Sequence, residues 1–136
     1  MKQARILVAD DTPASLSLLA EVLEPQGYEV LTASSGKDAL NLASRARPDL
    51  ILLDVVMPGH NGFAVCQMLK REPETESIPV IFITSKDETD SVLNGFRVGA
   101  VDYISKPFQP EEVVTRVATH LKISRLAREL QERNAA

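Results

Sequence analysis

The chain has 136 residues and one cysteine, Cys66, so no disulfide can close within it and no cysteine cluster can hold a metal. The neighbours Phe63, Met68 and Leu69 place that thiol on the apolar side of a helix rather than at a reactive site. Long hydrophobic runs are missing too. The apolar stretches have strand length, and the start, Met1-Lys2-Gln3-Ala4-Arg5, runs into a strand rather than a signal-peptide core. A cytoplasmic protein without membrane contact is expected. A cationic surplus is also absent: 15 Lys and Arg stand against 19 Asp and Glu, a net charge of −4, which argues against a broad basic surface for nucleic acid. Residues 1–122 contain no internal repeat, low-complexity tract or flexible linker. The length suits one domain able to bury a core.

What the chain does contain is an alternation of strand-length apolar runs with segments of helical period, the pattern of an α/β fold with a parallel sheet covered on both faces. Strands are predicted at about 5–9, 28–33, 49–53, 79–84 and 101–105. After the first, Thr12-Pro13 supplies a cap and a proline at the opening of a helix, and Leu16, Leu19, Ala20 and Leu23 recur at helical spacing until Pro25 and Gly27 end it. Ser35-Gly36 leads into a helix with Ala39, Leu40 and Ala43 on one face, ending before Pro48. A third helix runs from about Gly62 to Arg71. A fourth carries Val92, Leu93 and Phe96 and stops at Gly99, and a long last helix starts at Pro110. These are five βα units, a single doubly wound five-stranded sheet with five helices.

The chemistry sits where the strands end. Asp54 terminates Leu50-Ile51-Leu52-Leu53, and the following Met57-Pro58-Gly59 can continue neither a strand nor a helix. Asp10 and Asp11 end Ile6-Leu7-Val8-Ala9, Thr84 ends Val80-Ile81-Phe82-Ile83, and Lys106-Pro107 follows the run containing Tyr103. Right-handed crossovers bring the carboxyl ends of parallel strands to one edge of the sheet, where open α/β sheets bind ligands. Each residue taken alone reads as a turn, cap or solvated side chain; five at equivalent strand ends point to a site. Carboxylates so gathered repel, and a hard divalent cation with oxygen ligands relieves them. Mg2+ suits a shallow site because it keeps several waters and completes its shell with a phosphate. Lys106 then supplies a charge for phosphate oxygens, Thr84 a hydroxyl donor, and Asp54 remains as the nucleophile for an acyl phosphate.

Four motifs, Ile-Leu-Val-Ala-Asp-Asp, Asp-Leu-Ile-Leu-Leu-Asp-Val-Val-Met-Pro-Gly-His-Asn-Gly, Pro-Val-Ile-Phe-Ile-Thr-Ser and Gly-Ala-Val-Asp-Tyr-Ile-Ser-Lys-Pro-Phe, agree in order and spacing. Over residues 4–122 the chain resembles the receiver domain of bacterial two-component response regulators. The resemblance implies a flavodoxin-like fold with strand order 2-1-3-4-5, and Asp54 as phosphoacceptor for a histidine kinase, a phosphotransfer protein or a small phosphodonor. It implies Mg2+ on Asp11 and Asp54, with Asp10 acting through water and the Val56 carbonyl as a backbone ligand. Lys106, Thr84 and the Ser85 amide would bind the phosphoryl group, Thr84 and Tyr103 would form the switch, and Lys106-Pro107 would be cis at Pro107. Val56 and Lys86 occupy positions that tune hydrolysis in the family, and neither suits orientation of an attacking water, so a long phosphorylated lifetime is expected. His60 reads as an exposed loop histidine rather than a ligand.

No Gly or Pro occurs from Glu111 to Ala136, so the last helix can outrun the sheet. Val113, Val114, Val117 and Leu121 fit its core face. Ile123, Leu126 and Leu130 continue at spacings of three and four, flanked by Arg125, Arg128, Glu129, Glu132 and Arg133. Residues 123–136 are thus expected as an extension of about 20 Å, either a fraying end or a seam for a homodimer. In the resembled family such extensions commonly lead to an output domain, and the chain is expected to be either a stand-alone receiver or, the favoured alternative, a piece of a larger regulator. Two rival readings are weaker. A Mg2+-dependent phosphatase with an aspartyl phosphate would carry a second Asp where Val56 stands. A flavin or nucleotide carrier would need a phosphate-cradling loop after the first strand, where Asp10-Asp11-Thr12-Pro13 places negative charge.

Overall fold

Each predicted strand forms within one residue of its expected bounds, because a run of apolar residues bounded by turn formers has few other ways to bury itself. The computed structural model describes residues 3–57, 61–84 and 96–134. The strands are β1 (Arg5–Ala9), β2 (Glu29–Ala33), β3 (Leu50–Asp54), β4 (Val80–Thr84) and β5 (Asp102–Ser105). They pair in parallel in the order β2-β1-β3-β4-β5. Helices α1 (Pro13–Leu23), α2 (Gly36–Ala46) and α3 (Gly62–Arg71) follow the first three strands, and a C-terminal helix spans Pro110–Asn134. Val92 and Leu93, expected on a further helix, lie outside the described residues, as do His60, Ser85 and Lys86. Phe96 and Arg97 are helical, and the chain then turns at Gly99, whose φ of 105° favours a residue without Cβ.

The two-residue period of the strands divides the core into two layers. Ile6, Val8, Leu50, Leu52, Ile81 and Ile83 pack with Leu19 and Leu23 of α1 and Val113 and Val117 of the C-terminal helix. Leu7, Ala9, Ile51, Leu53, Val80 and Phe82 pack on the other face with Ala39, Ala43, Val65, Cys66 and Leu69 of α2 and α3. Each fully buried aliphatic side chain contributes about 1.5–3 kcal/mol, so these layers rather than the loops hold the sheet rigid. Burial pushes the Cys66 thiol up to about 11, in keeping with its expected inert position.

Local signals set the helix ends. Asn61 Oδ1 accepts the Ala64 N–H at 2.8 Å and Ser35 Oγ accepts the Asp38 N–H at 3.2 Å, each closing an open donor of a first turn. Thr12 is the N-cap of α1 and Pro13 its first residue, as expected, but the Thr12 hydroxyl lies 3.4 Å from Asp11 Oδ1 and makes no side-chain capping bond. The C-terminal helix outruns its support, since Val113 and Val117 are fully buried while Ile123, Leu126 and Leu130 are 53%, 47% and 60% exposed. Among the described residues no helix is long and apolar enough to cross a membrane.

Candidate functional site

The loops leaving the strands keep the ladder pattern for one more step. The Asp10 N–H donates to the Ala33 carbonyl at 3.0 Å, the Val55 N–H to Ile83 at 3.2 Å and the Lys106 N–H to Thr84 at 2.8 Å. Backbone bonds therefore set where each functional side chain departs. Asp54 is the last residue of β3 and pairs with Ile83; Thr84 is the last of β4 and pairs with Ser105.

This launch geometry brings carboxylate oxygens of Asp10, Asp11 and Asp54 within 4.8 Å of one another. Asp10 is fully buried, Asp54 6% exposed, and Asp11 faces solvent. The Lys106 ammonium donates to Asp54 Oδ2 at 3.2 Å and stands 3.2 Å from Asp10 Oδ2. The second contact is ionic without hydrogen-bond alignment, so Asp10 Oδ2 is a buried acceptor with no donor among the described residues. Asp10 Oδ1 accepts the Thr12 N–H at 2.9 Å, and Asp54 Oδ1 accepts the Val56 N–H at 3.1 Å. Burial pushes the Asp54 carboxyl above its ordinary range; the Val56 N–H opposes this, Asp10 adds to it and Lys106 counters it. Burial alone would lower the Lys106 pKa, but the Asp54 and Asp10 carboxylates outweigh it and raise it. Asp10 and Asp54 thus share the Lys106 ammonium, with Asp11 beside them. The unmet Asp10 oxygen and the all-oxygen donor set fit a hard divalent cation that retains water.

Thr84 is 3% exposed at the rim of the cluster. Tyr103 lies one layer below it, beside its register partner Phe82, half-buried, its ring edge-on to Phe96 at a centroid separation of 6.4 Å. Val56 is 64% exposed next to the carboxylates. The Lys106–Pro107 peptide is cis, as expected. Asp10, Asp11, Asp54 and Lys106 are drawn into one cluster, Thr84 borders it, and Tyr103 stands apart on the flank.

Residues 6–118 match the response regulator receiver domain family. The chain belongs to that family. The receiver is 43% identical over 133 residues to the response regulator PleD of Caulobacter vibrioides, an alignment covering 98% of the chain and 29% of PleD. It is 42% identical over 114 residues to the protein PilH of Pseudomonas aeruginosa, covering 84% of the chain and 94% of PilH. Its structure superposes on the chemotaxis response regulator CheY4 of Vibrio cholerae with a TM-score of 0.82 at 30% identity, over 87% of this chain and 98% of that one. The chain spans less than a third of PleD's length. It is a receiver domain of two-component signalling. Receivers bind Mg2+ at an acidic pocket and work with histidine kinases and output domains, which sets aside the phosphatase and carrier readings.

Two features of the receiver were not foreseen from its sequence. Gly62 opens α3 with its N–H donating to the Val55 carbonyl at 2.6 Å, and a Cβ there would collide with the Asp54 carbonyl oxygen and lie 2.8 Å from Val55 Cα. The signal was a glycine, a poor helix former, standing where a helix starts. The second is a polar cluster of Asp102, Arg116 and His120 between β5 and the C-terminal helix. Only the spacing of Arg116 and His120 by one helical turn hinted at it.

Proposed function

We propose that the receiver accepts a phosphoryl group on Asp54 from a histidine kinase, a phosphotransfer protein or a small phosphodonor, and relays the change through Thr84 and Tyr103 to an output domain or partner protein in the cytoplasm. An Asp54 oxygen forms the new bond to phosphorus while the donor's bond to phosphorus breaks and its electron pair leaves with the donor. Mg2+, held by Asp11 and Asp54, with Asp10 acting through water and the Val56 carbonyl as a further ligand, would neutralise charge on the phosphoryl oxygens. Lys106 stabilises the same oxygens, with the Thr84 hydroxyl and Ser85 amide as further donors. Beyond its own phosphorylation and dephosphorylation the domain catalyses nothing, and it contacts neither nucleic acid nor membrane. Val56, exposed and apolar beside Asp54, cannot align an attacking water, which supports a long-lived acyl phosphate.

The observation that carries this reading is the crowding of three carboxylates within 4.8 Å of one another, two of them paired with the Lys106 ammonium, an arrangement with little structural benefit of its own. Incubation with acetyl phosphate, with and without Mg2+, followed by intact mass, tests it: one phosphoryl group is expected on the parent with Mg2+ and none on Asp54→Asn. Labelling of the variant at the parental rate would refute it.

Lys106→Ala is expected to retain partial phosphorylation yet lose the switch. A charge-assisted hydrogen bond contributes about 1.5–3 kcal/mol, enough to depopulate an active arrangement of Thr84 and Tyr103 about tenfold or more. The chain has no Trp and two Tyr, so tyrosine emission reads Tyr103 against a constant Tyr28. Equal beryllofluoride-induced changes in variant and parent would contradict this.

The exposed Ile123, Leu126 and Leu130 support a side-by-side homodimer through the C-terminal helices. Three aliphatic side chains offer at most about 5–9 kcal/mol per chain before association entropy, so weak pairing is expected. Sedimentation with and without beryllofluoride should show concentration-dependent association in the parent and none in Leu126→Asp/Leu130→Asp. A parent that stays monomeric throughout returns the extension to a fraying end.

A further inference from the structure

Asp102 stands one residue before Tyr103 in β5, and its carboxylate collects donors from two elements. The Tyr103 N–H donates to Oδ1 at 2.8 Å, Arg116 Nη1 lies 2.7 Å from Oδ1 and 2.8 Å from Oδ2, and His120 Nε2 lies 2.9 Å from Oδ2. Arg116 and His120 are one turn apart on the C-terminal helix and so reach the strand from the same face. The Asp102 and His120 side chains are only 16% and 15% exposed, which limits the screening that weakens a surface ion pair. Burial disfavours the Asp102 charge, yet the bonds from His120, Arg116 and the Tyr103 amide outweigh it and hold its carboxyl below the usual range. Glu112, the other charged neighbour on the helix, stands 3.5 Å from Arg116 Nε without a hydrogen bond and competes little.

We propose that Asp102 is a positioning residue that couples Tyr103 to the C-terminal helix, with Arg116 and His120 as the receiving groups. The inference rests on the reading that phosphorylation of Asp54 moves Tyr103. The carboxylate is bonded to the amide of that very residue, so a shift of the Tyr103 peptide moves the acceptor on which Arg116 and His120 converge. Short charge-assisted bonds are directional, and the helix must follow the acceptor or release it. Val113 and Val117 keep the helix docked in the apolar layer either way, so the polar tie adjusts the helix rather than anchoring it. By linkage the coupling is reciprocal: whatever fixes the helix alters how firmly the phosphoryl analogue is held at Asp54.

Amide exchange across residues 110–134, with and without beryllofluoride and Mg2+, tests the proposal alongside tyrosine emission as a separate report on Tyr103. In the parent the analogue is expected to change exchange in the middle of the helix by about fivefold or more, the lower range of typical coupling. In Asp102→Asn the emission change should persist while the exchange change shrinks to about twofold or less. His120→Gln retains an N–H for the carboxylate and should preserve the response that His120→Leu weakens, a rescue that a merely structural role would not give. Should Asp102→Asn not fold, Arg116→Met/His120→Leu cuts the same tie from the helix side and should be equally silent. A full response in either silent variant overturns the coupling. So does a parent whose Tyr103 responds while its helix does not. Absence of phosphorylation at Asp54 would instead bring down the underlying reading.

Discussion

Metal-free protein carrying Asp54→Asn is expected to melt at a higher temperature than the parent at neutral pH. Asp54 is 6% exposed and shares its surroundings with fully buried Asp10, so its charge is costly; the Val56 N–H and Lys106 recover only part of that cost. The folded pKa therefore lies above the unfolded value of about 3.9, and folding favours the protonated form. The stabilising contribution of that form is complete below the unfolded value and is lost as pH rises through the folded one. Near pH 4 the two proteins should be close in stability, and the variant should draw ahead by about 1–2 kcal/mol toward neutrality, about 3–8 °C in melting temperature. Mg2+ should reverse the order, because saturation to a hundred times the dissociation constant adds about 2.7 kcal/mol to a protein that binds it. Thermal melts across this pH range, in chelator and in Mg2+, would show it; a variant less stable than the parent at every pH would contradict the account of Asp54.

Gly62→Ala is expected to be among the most damaging small substitutions. The added methyl meets backbone at Asp54 and Val55, not a flexible side chain, so relief requires moving either the start of α3 or the end of β3. Overpacking of this kind costs about 1–3 kcal/mol, and loss of the Asn61 cap, if α3 is displaced, adds about 1 kcal/mol. A fall of about 10 °C in melting temperature is expected, with Mg2+ binding weakened because the residue displaced is a proposed ligand. An alanine variant with parental melting and metal affinity would show that the backbone yields freely there.

The inner strands β1, β3 and β4 were legible because they are buried on both faces and so appear as continuous apolar runs; β1 matches its expected bounds and the other four strands shift by one residue. Asp54 was expected just beyond its strand and is instead its last paired residue, since the β3 ladder extends as far as Ile83 permits. The grouping of Asp10, Asp11, Asp54 and Lys106 followed from topology, because parallel strands joined by right-handed crossovers leave their functional ends no other edge to share. Burial within the cluster did not follow. Two adjacent aspartates look alike in sequence, and only the alternation of the chain past β1 turns Asp10 inward and Asp11 to solvent. Gly62 escaped notice because its constraint is a backbone approach between segments that no periodicity encodes. Asp102, Arg116 and His120 escaped because polar residues fourteen and eighteen positions apart carry no joint signal until the helix is laid against β5.

Strand β5 is hydrogen-bonded to β4 alone, whereas β1, β3 and β4 each have partners on both sides. Opening a central strand would break two ladders and expose both apolar layers, an excursion close to global unfolding. Displacing the outermost strand breaks one ladder, and Asp102, Tyr103 and Ser105 already have partial access to water. Local excursions of low free energy are concentrated in such peripheral units. Lys106, Tyr103 and the tie to the last helix all depend on this strand, while Asp54 depends on one locked between two neighbours. The receiver thus separates a stationary acceptor from a border that can rearrange thermally.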